Sequence, residues 1–182
     1  MKVLGIDPGS RFCGFGVVED AGGARVRYLD CGVLSLGEDE PVEARLASLH
    51  AGLCAELARH RPEVVAIEDV FHARNARSAF VLGQARGVAL LAAAQSGAKV
   101  RSFAPSVIKQ AVTGTGRAEK DQVARMVCAL LGIDVTGRAD ATDALAAALC
   151  GLLRARDPAA TAVAAPRRDP RASFGRLLRG AR

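Results

Sequence analysis

The apolar pattern of the chain changes period at Pro41, and that switch constrains the fold more than any other feature. Before it, three consecutive stretches read as strands: Lys2 to Ile6, Cys13 to Glu19, and Arg25 to Leu34, where Val26 and Tyr28 alternate with Arg25 and Arg27. Pro8, Gly9 and Ser10 separate the first two, and Gly22-Gly23 marks the next turn. After Pro41, Val42, Leu46, Leu49, Leu53 and Leu57 form the apolar stripe of a helix packed on a sheet, closed by Pro62. Val64-Val65-Ala66-Ile67 is then a fully apolar run, suited to a central parallel strand covered on both faces, and Glu68 ends it. Ser78 is read as the cap of a long helix running to Gln95, Gly97 stops it, and Lys99 to Ser102 is a fifth strand. Pro105 opens a short helix ending near Gly114. Ala118 to Leu131 carries Val123, Met126, Val127 and Leu130 on one face, and Asp140 to Leu153 turns Leu145, Ala148, Leu149 and Leu152 to the core.

This order predicts an α/β fold, an RNase H-like layout with a five-stranded mixed sheet flanked by helices on both faces. The 182 residues accommodate one such domain, assigned to 1–156, followed by a basic and flexible tail at 157–182. The longest mostly apolar stretch, Val88 to Ala94, is far short of the ~20 residues that span a bilayer, so no membrane association is expected. An acid at position 7 interrupts the N-terminal apolar run, unlike a secretory signal. The five cysteines are widely spaced with no C-x-x-C pair, as expected of thiols in a reducing cytosol, and the chain is read as cytoplasmic. Net charge is +6, yet the tail's six arginines and two aspartates supply +4 of it, leaving +2 for residues 1–156. Charge alone is therefore weak support for a nucleic-acid partner.

Four carboxylates carry the chemistry. Asp7 follows the first strand and Glu68 the fourth; if those strands are parallel neighbours, both acids emerge at one carboxyl-end rim. Asp140 and Asp143 stand at i and i+3 in the first turn of the last helix. Each has a plainer reading on its own: Asp7 as a turn residue, Asp140 as a helix cap, Asp143 as a partner of the helix dipole. Together they would raise one another's pKa values unless cations neutralised them. Hard divalent ions suit an all-oxygen site, and no His or Cys cluster competes for softer metals. Two Mg²⁺ or Mn²⁺ ions about 4 Å apart serve phosphodiester hydrolysis with water as nucleophile.

At these residues the chain resembles the RuvC-type Holliday-junction resolvases. The matching segments are Gly-Ile-Asp-Pro-Gly at 5–9, Ala-Ile-Glu-Asp-Val-Phe at 66–71, Leu-Gly-Gln-Ala-Arg-Gly-Val at 82–88, Thr-Gly-Thr-Gly-Arg-Ala-Glu-Lys at 113–120, and Asp-Ala-Thr-Asp-Ala-Leu at 140–145. The third and fourth are the specific ones. The resemblance implies a crossover junction endodeoxyribonuclease acting in DNA recombination and repair, a homodimer that nicks two symmetry-related strands, and cooperation with the RuvA and RuvB branch-migration complex. It also implies that Asp7, Glu68, Asp140 and Asp143 are the metal-binding catalytic set. Some relatives carry His at one of the last two positions, where this chain has Asp. Asp69 departs from the neutral residue common there, and is read either as tuning the metals or as facing solvent.

For DNA contacts the candidates are Phe71, Arg74, Arg77, Lys109, Arg117 and Lys120. Phe71, beside a basic stretch, reads either as a base-stacking aromatic, the family's use of this position, or as a buried anchor. Lys109, Arg117 and Lys120 flank the Gly114-Thr115-Gly116 loop, where small residues admit a phosphate, though ordinary surface charges read the same way. Gly83 and Gly87 suggest close approach of another backbone, either the helix's own sheet or a second subunit. Three alternatives compete: a non-catalytic junction-binding protein on the same fold, a related single-domain nuclease acting on RNA, and a sugar-kinase or actin-like phosphotransferase. The last shares strand-Asp-x-Gly but requires two such domains.

Overall fold

The structure, a computed structural model, describes residues 1–37, 40–69, 76–134 and 139–156. Strands β1 (Lys2–Pro8), β2 (Phe12–Asp20) and β3 (Val26–Ser35) form an antiparallel meander. Strand β4 (Val64–Glu68) adds parallel to β1, and β5 (Lys99–Phe103) parallel to β4, giving the order β3-β2-β1-β4-β5. This is the expected five-stranded mixed sheet.

Alternation along the central strands sorts the helices onto two faces. Leu4, Ile6, Val65 and Ile67 pack against α1 (Val42–His60) and α2 (Ala76–Gln95). Val3, Val64 and Ala66 point the other way, toward α3 (Pro105–Thr113), α4 (Lys120–Leu131) and α5 (Ala139–Arg156). Helix α5 is buried almost all round because it is sandwiched between the sheet and the α3–α4 pair. The sequence pattern gave it only one core face. Among the described residues no helix is long and apolar enough to cross a membrane.

Three local expectations need correction. Helix α2 already runs from Ala76, so Ser78 lies inside its first turn and not at the N-cap. Val42 and Leu130, assigned to apolar stripes, are 43% and 47% exposed. Each sits at an end of its helix, where the stripe has run past the sheet or the neighbouring helix.

What positions α5 is a bare patch on the sheet. A Cβ on Gly5 would fall 2.0 Å from the Ala144 carbonyl oxygen, and one on Gly14 would fall 2.0 Å from the Asp140 carbonyl oxygen. Gly16, the register partner of Gly5, would meet the Leu145 side chain at 2.7 Å. Small residues on both surfaces thus let helix backbone rest directly on strand backbone.

Candidate active site

The same alternation that buries Val3 and Val64 sets the direction of the two strand carboxylates. Asp7 lies two residues beyond Gly5 and four beyond Val3; Glu68 lies two beyond Ala66 and four beyond Val64. Both side chains therefore point to the α5 face, and they follow the registered parallel pair Ile6–Ile67. Gly14 pairs with Asp7 across β1 and β2, and the first turn of α5 rests on it. Asp140 and Asp143 are delivered to the strand acids in this way. Asp140 is the second residue of α5, inside the helix, so the capping reading does not apply.

The electrostatics record the convergence. Burial first, then Glu68, Asp143 and Asp140, push the Asp7 carboxyl from 3.8 up to about 7. Burial and Asp143 raise Glu68 from 4.5 to about 7, against the opposing pull of Lys120 and Lys109. Lys120 Nζ lies 2.7 Å from Asp143 Oδ2, and that bond raises the lysine's own pKa. The carboxylates surround a gap and not a point: among the described residues, no three of the four bring ligand oxygens within 4.8 Å of one another.

A cavity of about 240 Å³ opens beside Glu68 and Asp143, walled by Pro105, Ile108, Lys109 and Lys120. Lys109 and Lys120 thus sit at the carboxylates. Arg117 is exposed on the loop between α3 and α4, where Thr113 Oγ1 donates to the Lys109 carbonyl oxygen and Gly114 caps α3 at φ +82°. Arg77 is exposed in the first turn of α2. Phe71 and Arg74 lie outside the described residues. Gly83 and Gly87 have nothing within 4 Å of where a Cβ would stand, so neither serves packing on the protein's own sheet, where Ala85, Ala89, Ala92 and Ala93 do that work.

Asp69 does not join the four acids. Arg86 of α2 donates through Nη2 to Asp69 Oδ1 and, at 2.9 Å, to Ser102 Oγ on β5, so Asp69 braces the strand end against α2. Cys13 is a neighbour that sequence reading missed. Burial and the nearby Asp7 and Asp140 push its thiol up to about 12, which keeps it neutral beside the acids. On the opposite face a single histidine does group with acids: His60 Nε2 lies 3.2 Å from Asp30 Oδ2 and 3.3 Å from Glu56 Oε2. These three are too dispersed in sequence to read as a motif.

Comparison with known proteins follows the same lines. Residues 3–151 match the family model described as crossover junction endodeoxyribonuclease RuvC. A relative from Myxococcus xanthus, named crossover junction endodeoxyribonuclease RuvC, is 55% identical over 166 residues, covering 89% of this chain and 86% of its own. The structure titled T. thermophilus RuvC in complex with Holliday junction substrate superposes with a TM-score of 0.80 at 39% identity, covering 86% of this chain and 95% of that one. The yeast mitochondrial Holliday junction resolvase Ydc2 shares the fold, with a TM-score of 0.60 at 15% identity over 88% of this chain and 83% of that one.

Proposed function

We propose, from the premise that the chain belongs to the RuvC family of crossover junction endodeoxyribonucleases, that it resolves four-way DNA junctions by paired symmetric nicks, using Asp7, Glu68, Asp140 and Asp143 to hold two Mg²⁺ ions. The observation that carries this reading is the pair of strand carboxylates raised to about 7 beside two further aspartates. Burial first, and then the neighbouring acids, raise both groups, and a bound cation would offset that repulsion; the all-oxygen donor set fits hard divalent cations, Mn²⁺ included. When bound, such ions supply Lewis-acid stabilisation of phosphoryl charge and lower the pKa of water.

The chain's own residues supply position and charge. Asp7 and Glu68 stand on parallel neighbouring strands, and α5 cannot slide without lifting off Gly5 and Gly14. Lys109 and Lys120 face the cavity from α3 and α4 and are assigned to the scissile phosphate; Arg117, Arg77, Arg74 and Phe71 are assigned to flanking DNA. Residues 1–156 are read as the nuclease domain, and the arginines of 157–182 as added phosphate affinity. Action in recombination and repair alongside RuvA and RuvB completes the proposal.

Purified protein with Mg²⁺ is expected to nick a synthetic four-way junction on two symmetry-related strands, mapped at nucleotide resolution. Binding without cutting under every divalent ion would sink the enzymatic mechanism.

The homodimer is assigned to α2, whose outward face presents Gly83, Gly87, Phe80 at 67% exposure and Leu91 at 52%. Gly87→Leu should leave the protomer as stable or more so, since leaving glycine gains up to ~1 kcal/mol of helix propensity. It should weaken the dimer by about tenfold or more, because the added side chain blocks backbone approach. Sedimentation equilibrium decides this: an unchanged dimer removes α2 from the interface.

A further inference from the structure

On the face away from the proposed nuclease site, α1 ends against the edge of β3, and three ligating side chains meet there. Asp30, Glu56 and His60 bring a carboxylate oxygen each and the imidazole Nε2 within 4.8 Å of one another. Glu56 and His60 stand one helical turn apart, at i and i+4, so they share a face of α1. Asp30 is aimed from the opposite side, its Oδ1 held at 2.9 Å by the Cys31 amide, which leaves Oδ2 for the cluster.

Hydrogen bonding leaves this group unfinished. His60 Nε2 and Glu56 Oε2 are both shut off from solvent, and neither has a hydrogen-bond partner among the described residues, although they lie 3.3 Å apart. The nearby cation is Arg59, with Nη1 3.1 Å from Asp30 Oδ2 and 3.7 Å from Glu56 Oε2, but its side chain is 66% exposed. An exposed pair of that kind contributes little and is readily displaced. A proton on Nε2 can point at only one of the two oxygens, which leaves the other to the exposed Arg59.

Coordination accounts for the arrangement better. Metal–ligand distances of about 2.0–2.2 Å at tetrahedral angles place donor atoms roughly 3.3 Å apart. His60 Nε2 is 3.2 Å from Asp30 Oδ2 and 3.3 Å from Glu56 Oε2.

We propose that Asp30, Glu56 and His60 form a second metal site, for a borderline divalent ion such as Zn²⁺, that clips the end of α1 to β3. One imidazole and two carboxylates suit that ion, in contrast to the all-carboxylate set at the other end of the sheet. The two sites are separate. Asp30 pairs with Val17, which pairs with Leu4, whereas Asp7 lies three residues further along β1, about 10 Å at strand rise. His60 precedes the start of β4 and Glu68 ends it.

The test uses full-length protein stripped by a chelator and titrated with Zn²⁺ alone. Calorimetry should detect a saturable site in the wild type that persists in Glu68→Gln and weakens at least ~10-fold in His60→Gln. The chain has three histidines, His50, His60 and His72, so the assigned imidazole resonances of the wild type give a readout that does not depend on a variant folding. Zn²⁺ should move the His60 resonance at one equivalent. A His60 resonance untouched by Zn²⁺, or uptake lost in Glu68→Gln and kept in His60→Gln, overturns the proposal.

Discussion

Glu68→Gln is expected to lower junction cleavage by at least ~10³-fold, since metal-assisted charge stabilisation is worth several kcal/mol and about 1.4 kcal/mol is tenfold in rate. The substitution keeps shape and volume and removes only the charge that would hold a cation. Junction binding should survive, because the phosphate contacts are assigned to Lys109, Arg117 and Lys120, and losing a negative charge beside them does not weaken attraction to DNA. Single-turnover nicking and fluorescence anisotropy on one junction measure the two quantities. A variant that cuts within about tenfold of the wild type would remove Glu68 from the catalytic set.

The same substitution should have the opposite sign for stability. Asp7 rises from 3.8, and Glu68 from 4.5, to about 7 in the folded protein. The folded state therefore binds these protons more tightly than the unfolded chain does. Their stabilisation is full below about pH 4 and is lost as pH rises through about 7. In chelator, Glu68→Gln should gain on the order of 2 kcal/mol over the wild type near pH 8 and nothing near pH 4. Urea midpoints at the two pH values check it. Mg²⁺ should close the gap by stabilising the wild type at the higher pH, as expected if function holds these acids together at a cost.

Strand alternation and helical stripes made the sheet and most helices legible, because period alone decides which side of an element is apolar. The rim shared by Asp7 and Glu68 was legible too, once β1 and β4 were taken as parallel neighbours. Their common face was available in the runs Val3-Gly5-Asp7 and Val64-Ala66-Glu68 but needed the sheet to give it meaning. Two things were hidden. The Asp69–Arg86–Ser102 brace joins three elements through side chains 16 and 17 residues apart, a contact that no periodicity encodes. The second was the role of the glycines, since a residue with no side chain leaves no apolar signal, and nothing in the strand pattern marks Gly5, Gly14 and Gly16 as the seat of α5.

Those glycines bear on catalysis, and Gly14→Ala tests it. A Cβ there would stand 2.0 Å from the Asp140 carbonyl oxygen and 2.5 Å from its carbon, both backbone atoms that no rotamer change can move. Ordinary contact requires the first turn of α5 to retreat by more than about 1 Å, in a helix that packs along its length on α3 and α4. Overpacking of this kind costs about 1–3 kcal/mol, and an immobile neighbour puts the cost at the upper end. Asp140 and Asp143 move with that turn, and a displacement of about 1 Å costs roughly 10²-fold in rate. Cleavage by the folded fraction should therefore fall about 10²-fold, although the alanine touches neither substrate nor metal. Gly83→Ala, whose Cβ meets nothing within 4 Å in its own protomer, should instead raise the urea midpoint of the dilute, monomeric protein. If Gly14→Ala lowers stability but leaves the rate per folded molecule unchanged, the acids do not depend on α5 resting against β2.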